Sequence, residues 1–257
     1  MRYGLCIVPA APVRKEDNHR AEMVNQLLFG EPLELLEEKG EWFRVRSLND
    51  GYEGWVTQHL IEEENSEIVL QQQKFTGPDL INPILIKDHI LHAPMGSFLT
   101  AMDPESGFLW NKEFRYVGNV HYFSEGLNSD DLLQCMTSWL HAPYLWGGKT
   151  FMGVDCSGFV QTVFRVQGIQ LLRDAWQQAE QGNAIENLKQ SAFGDLAFFH
   201  NDAGKIIHVG ILLNQQQIIH ASGSVRIDTI DEQGIIHQTT GKRTHQLHSI
   251  RRVMNGV

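Results

Sequence analysis

The stretch YLWGGKTFMGVDCSGF, residues 144–159, decides the fold of the C-terminal half of the chain. Its glycines lead into Asp155, and the segment FVQTVFRV, residues 159–166, repeats apolar residues at the spacing of one helical face. Asp155 is a favourable N-cap residue, and Gly168 is a favourable stop signal. The stretch therefore predicts a buried helix with Cys156 in its first turn.

A cysteine at the start of a helix is well placed for nucleophilic chemistry. The helix dipole and the free backbone N–H groups favour its thiolate, which is the form that attacks carbonyl carbon. A free cysteine is more often a small buried side chain without a chemical role. The interpretation of Cys156 as a nucleophile therefore depends on a base supplied from elsewhere in the fold.

Two later histidines are candidates for that base. His208 lies in IIHVGILL and His220 in QIIHAS, and both segments have the pattern of strands joined by a polar turn. A hairpin centred near residue 214 or 215 places both side chains on one face of the sheet. A shift of one residue in the strand pairing would place them on opposite faces. A single strand histidine usually has a structural role. Two on one hairpin face, after a helix-start cysteine, indicate a catalytic set.

The motifs YLWGG, GVDCSGFV, GDLAFF, HVGILL and IIHAS occur in one order along the second half of the chain. In that order they resemble the NlpC-type cell-wall cysteine peptidases. The resemblance implies an α+β fold, with a papain-like catalytic domain of helices packed on an antiparallel sheet at residues 127–257. It also implies Cys156 as nucleophile, His208 as general base and His220 as the polar residue that orients the base.

The same resemblance implies further residues around the nucleophile. Tyr144 would contribute to the substrate pocket and Trp146 mainly to its floor, although either could serve only in packing. Asp155 and Ser157 flank the nucleophile and are candidates for substrate contact. Their simpler roles are helix cap and first-turn residue.

A subgroup of these enzymes acts on free murein peptides and carries an aspartate at the spacing of Asp174, eighteen residues after the nucleophile. There the aspartate pairs with the free N-terminal amine of the substrate's L-Ala, with help from a tyrosine of the first barrel. Tyr52 is the candidate for that tyrosine. Asp174 also precedes a predicted helix near Ala175, so it has a second interpretation as an N-cap.

The sequence of the N-terminal half has the pattern of short strands separated by turn residues. The pattern GEWFRVRSLNDGYEGWV, residues 40–56, resembles a bacterial SH3-like barrel. We predict two small SH3-like β-barrels, at residues 1–64 and 65–126, with the acidic, glutamine-rich segment 62–73 crossing between them. The predicted peptidase domain follows at 127–257.

The net charge and the hydropathy of the sequence limit the kinds of partner that the protein can bind. A net charge of -10 over 257 residues argues against binding to nucleic acid or to an anionic membrane surface. No apolar run is long enough to insert into a membrane, and the first fifteen residues lack a convincing signal peptide. We expect a cytoplasmic monomer, or a periplasmic or exported protein if a signal peptide has been removed.

Cofactors and metals are not expected. Three cysteines do not form a disulfide framework, which leaves Cys156 free. The histidine pairs 89/92 and 245/248 are three residues apart in strand-like segments, so their side chains point to opposite faces. Neither pair has ligands nearby in an order typical of a metal site.

These features together predict a cysteine endopeptidase that cuts after γ-linked D-Glu in L-Ala-γ-D-Glu-diamino acid peptides. Three alternatives remain open at this point. The domain could cut intact peptidoglycan, with the SH3-like modules as wall anchors. It could be a papain-like acyltransferase, or a binding protein that retains a relic site.

Overall fold

The computed structural model describes residues 1–71, 74–110, 112–122 and 128–254. The predicted boundary between residues 126 and 127, and the end of the predicted crossing segment at 72–73, lie outside the described residues. Among those described, no helix combines the length and the apolar composition needed to cross a membrane.

The first module is a seven-stranded antiparallel sheet in the order β3-β2-β6-β5-β4-β1-β7. Its strands β1 to β7 are Arg2–Cys6, Ala10–Arg14, Met23–Leu28, Pro32–Lys39, Trp42–Ser47, Glu53–Thr57 and Ile61–Glu64, with a 3-10 turn at Gln58–Leu60. Trp42 and Phe43 are buried in it, whereas Trp55 is only half-buried and lies beneath the Lys39 ammonium. Two of the three aromatic residues of the SH3-like motif are thus core residues.

The second module begins with a single helical turn, α1 at Ser66–Val69. A four-stranded sheet in the order β10-β9-β12-β11 and a two-stranded sheet of β8 and β13 follow. Strands β8 to β13 are Lys74–Thr76, Ile81–Ile86, His89–Pro94, Phe108–Leu109, Phe114–Tyr116 and Val120–Tyr122. This module has an apolar cluster centred on Trp110, against which Phe29 of the first module stacks.

The C-terminal half combines three α-helices with a second seven-stranded sheet in the order β16-β22-β17-β18-β19-β20-β21. The helices α2 to α4 are Ser129–Ser138, Cys156–Val166 and Ala175–Gln178. Strands β14 to β22 are Lys149–Thr150, Gly153–Val154, Asn183–Ile185, Leu196–His200, Ile206–Asn214, Gln217–Ser222, Ser224–Asp231, Gly234–Ile236 and Arg243–Arg252, with a 3-10 turn at Leu188–Gln190. Because β22 also pairs with β21, six of these strands close on themselves.

Helix α3 begins at Cys156 and ends at Val166, before Gly168, which adopts φ +73°. The sequence predicts one apolar face, but every residue of α3 is buried. The polar face is covered by the N-terminal modules: Arg165 donates to Gly96 O, and Gln161 donates to the Asp50 carboxylate. The helix is therefore a central element on which all three modules pack.

The loop before the nucleophile lies directly against the first module. Gly147 has φ +75°, and a Cβ there would lie 2.8 Å from Met23 O of β3. The Lys149 N–H donates to the Gln26 side chain at 2.8 Å. The Lys149 ammonium and the Glu31 carboxylate, both fully buried, form an ion pair at 3.3 Å across the same junction. These contacts place the first module at one wall of the site.

Candidate active site

The start of α3 is held by the Asp155 side chain. Its Oδ1 accepts from the N–H of Gly158 at 2.7 Å, and its Oδ2 accepts from the N–H of Gly147 at 2.8 Å. The first bond is an N-cap interaction, and the second ties the preceding loop to the helix. Asp155 thus fixes the backbone on both sides of Cys156, which agrees with its predicted role as a cap.

Arg173 is a residue at the site whose contacts sequence reasoning missed. Its buried guanidinium forms a bidentate ion pair with the Asp155 carboxylate, with N–O distances of 3.0 and 2.6 Å. It also donates a hydrogen bond to Ser157 Oγ at 2.9 Å. It also donates to Asn25 Oδ1 of the first module at 2.7 Å. Ser157 therefore has a partner inside the protein, and Arg173 links the first module to the turn that carries the nucleophile.

The two histidines lie on one side of the hairpin β18–β19, in direct contact. His208 Nε2 is 2.8 Å from His220 Nδ1, and His220 Nε2 is 3.1 Å from the Asp228 carboxylate. Asp228 also accepts from Arg226 Nε at 2.9 Å and from the N–H of Gln238. Burial opposes its ionisation, but these hydrogen bonds hold the pKa of Asp228 well below its usual range.

His208, His220 and Asp228 form a hydrogen-bonded series, the histidine chain. The Asp228 carboxylate at its end sets the tautomers of both imidazole rings. Ionised Asp228 accepts a hydrogen bond from His220 Nε2–H, which leaves His220 Nδ1 as an acceptor. His208 Nε2–H donates to that acceptor, so His208 Nδ1 carries a free lone pair. The Cys156 thiol lies within hydrogen-bonding reach of the backbone of Val209, the residue that follows His208 on β18.

Burial shifts the pKa values of both Cys156 and His208. The helix start was expected to favour a thiolate, but burial, followed by the charge of Asp155, raises the pKa of Cys156 to about 12. Burial and then His220 lower the pKa of His208 well below its ordinary value. Burial thus disfavours the charged form of both the Cys156 thiol and the His208 imidazole.

A cleft with a volume of about 340 Å³ opens above Cys156. Its walls include Tyr52 from the first module and Asp174 from the N-terminus of α4. Burial raises the pKa of Asp174, while the Arg173 charge and a hydrogen bond from Trp176 oppose this. Burial, and then the charge of Asp174, raise the pKa of Tyr52 to about 12. The cleft thus brings together a carboxylate, a phenol and the nucleophile.

The structure places the two aromatic residues of the glycine-rich loop differently from the sequence interpretation. Trp146 lines the cleft but is 57% exposed, so it forms a rim and not the floor. Tyr144 is half-buried, and its pKa is raised by burial and by the neighbouring Cys156. Its backbone N–H donates to Gly223 O, which fixes the loop against β20. Tyr144 therefore lies beside the thiol, whereas Trp146 lies at the entrance.

Other residues of the site had no clear sequence signal. Trp176 and Ile207 are exposed apolar residues of the cleft rim, and Lys205 adds a cation there. Asp228 could have been found from strand alternation, because His220 lies opposite Arg226, two residues before it. His245 comes from the last strand and stacks on His208 with ring centroids 4.1 Å apart.

A metal role was not predicted for the histidine pairs. His245 contacts His208, whereas His248 contacts His200, so the pair does diverge. Across the described part of the chain, no group of three or more His, Cys, Asp or Glu side chains is arranged to hold a metal ion.

Two protein families match the sequence. The NlpC/P60 family matches residues 141–244, and the bacterial dipeptidyl-peptidase Sh3 domain matches residues 13–60. An NlpC/P60 family protein from Bacillus cereus has a similar structure, with a TM-score of 0.82 at 20% identity, over 98% of this chain and 100% of that one. This similarity confirms the papain-like α+β fold with an SH3-like module.

Curated relatives carry peptidase names. Dipeptidyl-peptidase 6 of Lysinibacillus sphaericus is 28% identical over 90% of this chain and 92% of the relative. Gamma-D-glutamyl-L-lysine dipeptidyl-peptidase of Bacillus subtilis is 29% identical over 80% of this chain and 76% of the relative. Probable endopeptidase NlpC of Escherichia coli is 46% identical, but over only 38% of this chain and 62% of the relative.

The matches cover the segments that carry Cys156, His208 and His220 on one side and the barrel that carries Tyr52 on the other. The C-terminal half of the chain is thus an NlpC/P60 cysteine peptidase domain, preceded by a bacterial dipeptidyl-peptidase SH3 domain.

Proposed function

We propose that the enzyme hydrolyses the bond between γ-D-Glu and the diamino acid of murein peptides that begin with a free L-Ala. The observation that carries the proposal is the cleft, in which Asp174 and Tyr52 lie on the same walls as Cys156. A carboxylate near the nucleophile suits a substrate with an ammonium group a short distance from its scissile carbonyl. The name of the Bacillus subtilis relative supports the γ-D-glutamyl specificity.

The proposed reaction uses the histidine chain as its base. His208 Nδ1 takes the thiol proton while Cys156 Sγ attacks the γ-carbonyl carbon, and the backbone N–H of Cys156 faces the developing oxyanion. The imidazolium then returns the proton to the leaving amine, and a thioester remains. Water, deprotonated by His208, hydrolyses the thioester and restores the thiol.

The first module would select for the free amine. Val24 and Tyr52 line the cleft from that side, so an acyl group on the L-Ala nitrogen would run into the first module. A charge-assisted hydrogen bond to Asp174 in such a site contributes about 1.5–3 kcal/mol, which is roughly ten- to a hundredfold in affinity. Hydrolysis of free murein peptides, and not of the assembled wall, is the corresponding role in peptidoglycan turnover or recycling.

Mass spectrometry of digests tests this proposal. L-Ala-γ-D-Glu-meso-diaminopimelate and intact murein sacculi would be incubated with the enzyme, with a Cys156→Ala variant as the control. We expect the enzyme to release L-Ala-D-Glu from the free peptide and the variant to release nothing. Release of peptides from sacculi at a comparable rate would contradict the proposal and favour a wall hydrolase.

A further inference from the structure

The imidazole of His245 covers one face of the His208 ring. The ring centroids are 4.1 Å apart, and the planes are inclined by 24°. The same imidazole meets the His220 ring at 5.8 Å in an edge-to-face arrangement. His245 belongs to β22, which reaches β18 across a single intervening strand, β17, where Phe199 touches both His208 and His245.

The three histidines differ in their exposure. His208 and His220 are buried, whereas His245 is only half-buried. His245 is therefore the most exposed ring of the three, and it lies against both of the others. A hydrogen bond kept from water is stronger and more directional than one in contact with it.

We propose that His245 is a positioning residue for the general base, holding the His208 ring in its catalytic orientation and excluding water from the His208–His220 hydrogen bond. His245 is not among the residues that line the cleft, and its ring stacks on His208, so it acts through His208. The stacked ring also suits the reaction, because His208 becomes a cation when it takes the thiol proton. The face of a neutral aromatic ring stabilises such a cation.

This role requires His245 to stay uncharged. Burial, and then the charges of His220 and Arg226, lower the pKa of His245 to about 4, with Asp228 opposing. The ionisable groups that face it are His208 from β18, His220 from β19, and Arg226 and Asp228 from β20. At neutral pH His245 is thus a flat neutral ring, and its protonation in acid would repel the imidazolium of His208.

Alkylation of Cys156 by iodoacetamide, measured as a function of pH, tests the proposal without any assumption about the peptide substrate. The variants are His245→Phe, which keeps a flat ring, and His245→Gln, which fills the site without one. His248→Gln is the matched control, because this exposed residue of the same strand contacts His200 instead.

For His245→Gln we expect alkylation at pH 7 to slow by about tenfold, since small misplacements of a catalytic group have effects of this size or larger. The acid limb of its profile should move to higher pH, because a wetter His208 is easier to protonate. His245→Phe should stay within about twofold of the wild type, as should His248→Gln. A His245→Gln profile that matches the wild type, or an equal loss in His245→Phe, would overturn the proposal.

Discussion

The protonation of the histidine chain depends on one carboxylate, Asp228. In an Asp228→Asn variant the amide nitrogen can donate to His220 Nε2, which would reverse the tautomers and leave His208 Nδ1 protonated. Loss of a working general base reduces kcat by about 10²–10⁴-fold. Asp231→Asn is the control, because Asp231 lies on the same strand in an exposed ion pair with Arg243. Equal kcat values for the two variants would rule out this role for Asp228.

Burial of His208 makes a prediction about pH. The pKa of His208 is lowered by burial and by His220, so the ring stays neutral below the pKa of an ordinary histidine, about 6.5. Activity that needs the neutral base is lost only as the pH falls through the lowered value. On an N-acetylated peptide, where Asp174 has no amine to bind, kcat/KM should stay level through pH 6.5 and decline below it. A decline centred at or above 6.5 would contradict the burial of the base.

At this scale the sequence predicts the residues that stand in recognisable motifs. Cys156, His208 and His220 come from motif order, and Asp174 comes from its distance to the nucleophile. Arg173 and Asp228 were missed because their roles arise from ion pairs and strand pairings across the fold. The effect of burial on the pKa of Cys156 was also missed, because burial depends on the packing of several modules around α3.

At the scale of elements, the first turn of α3 is packed too tightly for any added atom. A Cβ on Gly158 would lie 2.3 Å from Gly148 O and 2.9 Å from Asp155 Oδ1. Gly158→Ala therefore has to displace either the glycine loop or the cap that holds Cys156. We expect a lower Tm and a loss of alkylation of Cys156 relative to Cys135, which is also buried. Unchanged Tm and alkylation would show that this turn can adjust freely.

Helix α3 also shows which features cannot be predicted from a sequence pattern. The N-cap residue Asp155 predicts its start, and apolar spacing predicts the face formed by residues 159–164. It does not predict that Gln161 and Arg165 are buried as well, because their partners come from the N-terminal modules. From the sequence alone, a polar residue on a helix is predicted to be solvent-exposed, because the surface that covers it in the fold is not known.

At the scale of the molecule, the junction between the first module and the peptidase domain contains the buried pair Glu31–Lys149. Glu31 also accepts hydrogen bonds from Ser47 Oγ and from the N–H of Leu28, so both of its carboxylate oxygens are hydrogen-bonded. Glu31→Gln leaves Lys149 as an uncompensated buried cation, a change that typically costs about 3–5 kcal/mol. We expect a clear fall in Tm.

The control for that measurement is Glu63→Gln. Glu63 pairs with Arg2 on the surface, where both side chains are about half exposed, and such pairs contribute roughly 0–1 kcal/mol. Glu31→Gln should lower the Tm far more than Glu63→Gln. Similar small shifts in both would mean that the junction does not depend on its ion pair.

The modular organisation is predictable from the sequence to a different degree in each part. The first barrel and the peptidase domain carry specific motifs, and both have family matches. The second SH3-like module and the domain limits rest on weaker patterns and stay predictions. Several contacts between modules join residues more than a hundred positions apart, such as Asn25 and Arg173, and no local pattern predicts such pairs.

The central claim is that the cleft recognises a free amine through Asp174. Its most direct test is the ratio of kcat/KM for L-Ala-γ-D-Glu-meso-diaminopimelate to that for its N-acetylated form, in the wild type and in Asp174→Asn. Asparagine keeps the size and the N-cap capacity of aspartate and removes the negative charge. We predict that the wild type prefers the free amine by about ten- to a hundredfold and that the variant loses this preference. An unchanged ratio in Asp174→Asn would contradict the account.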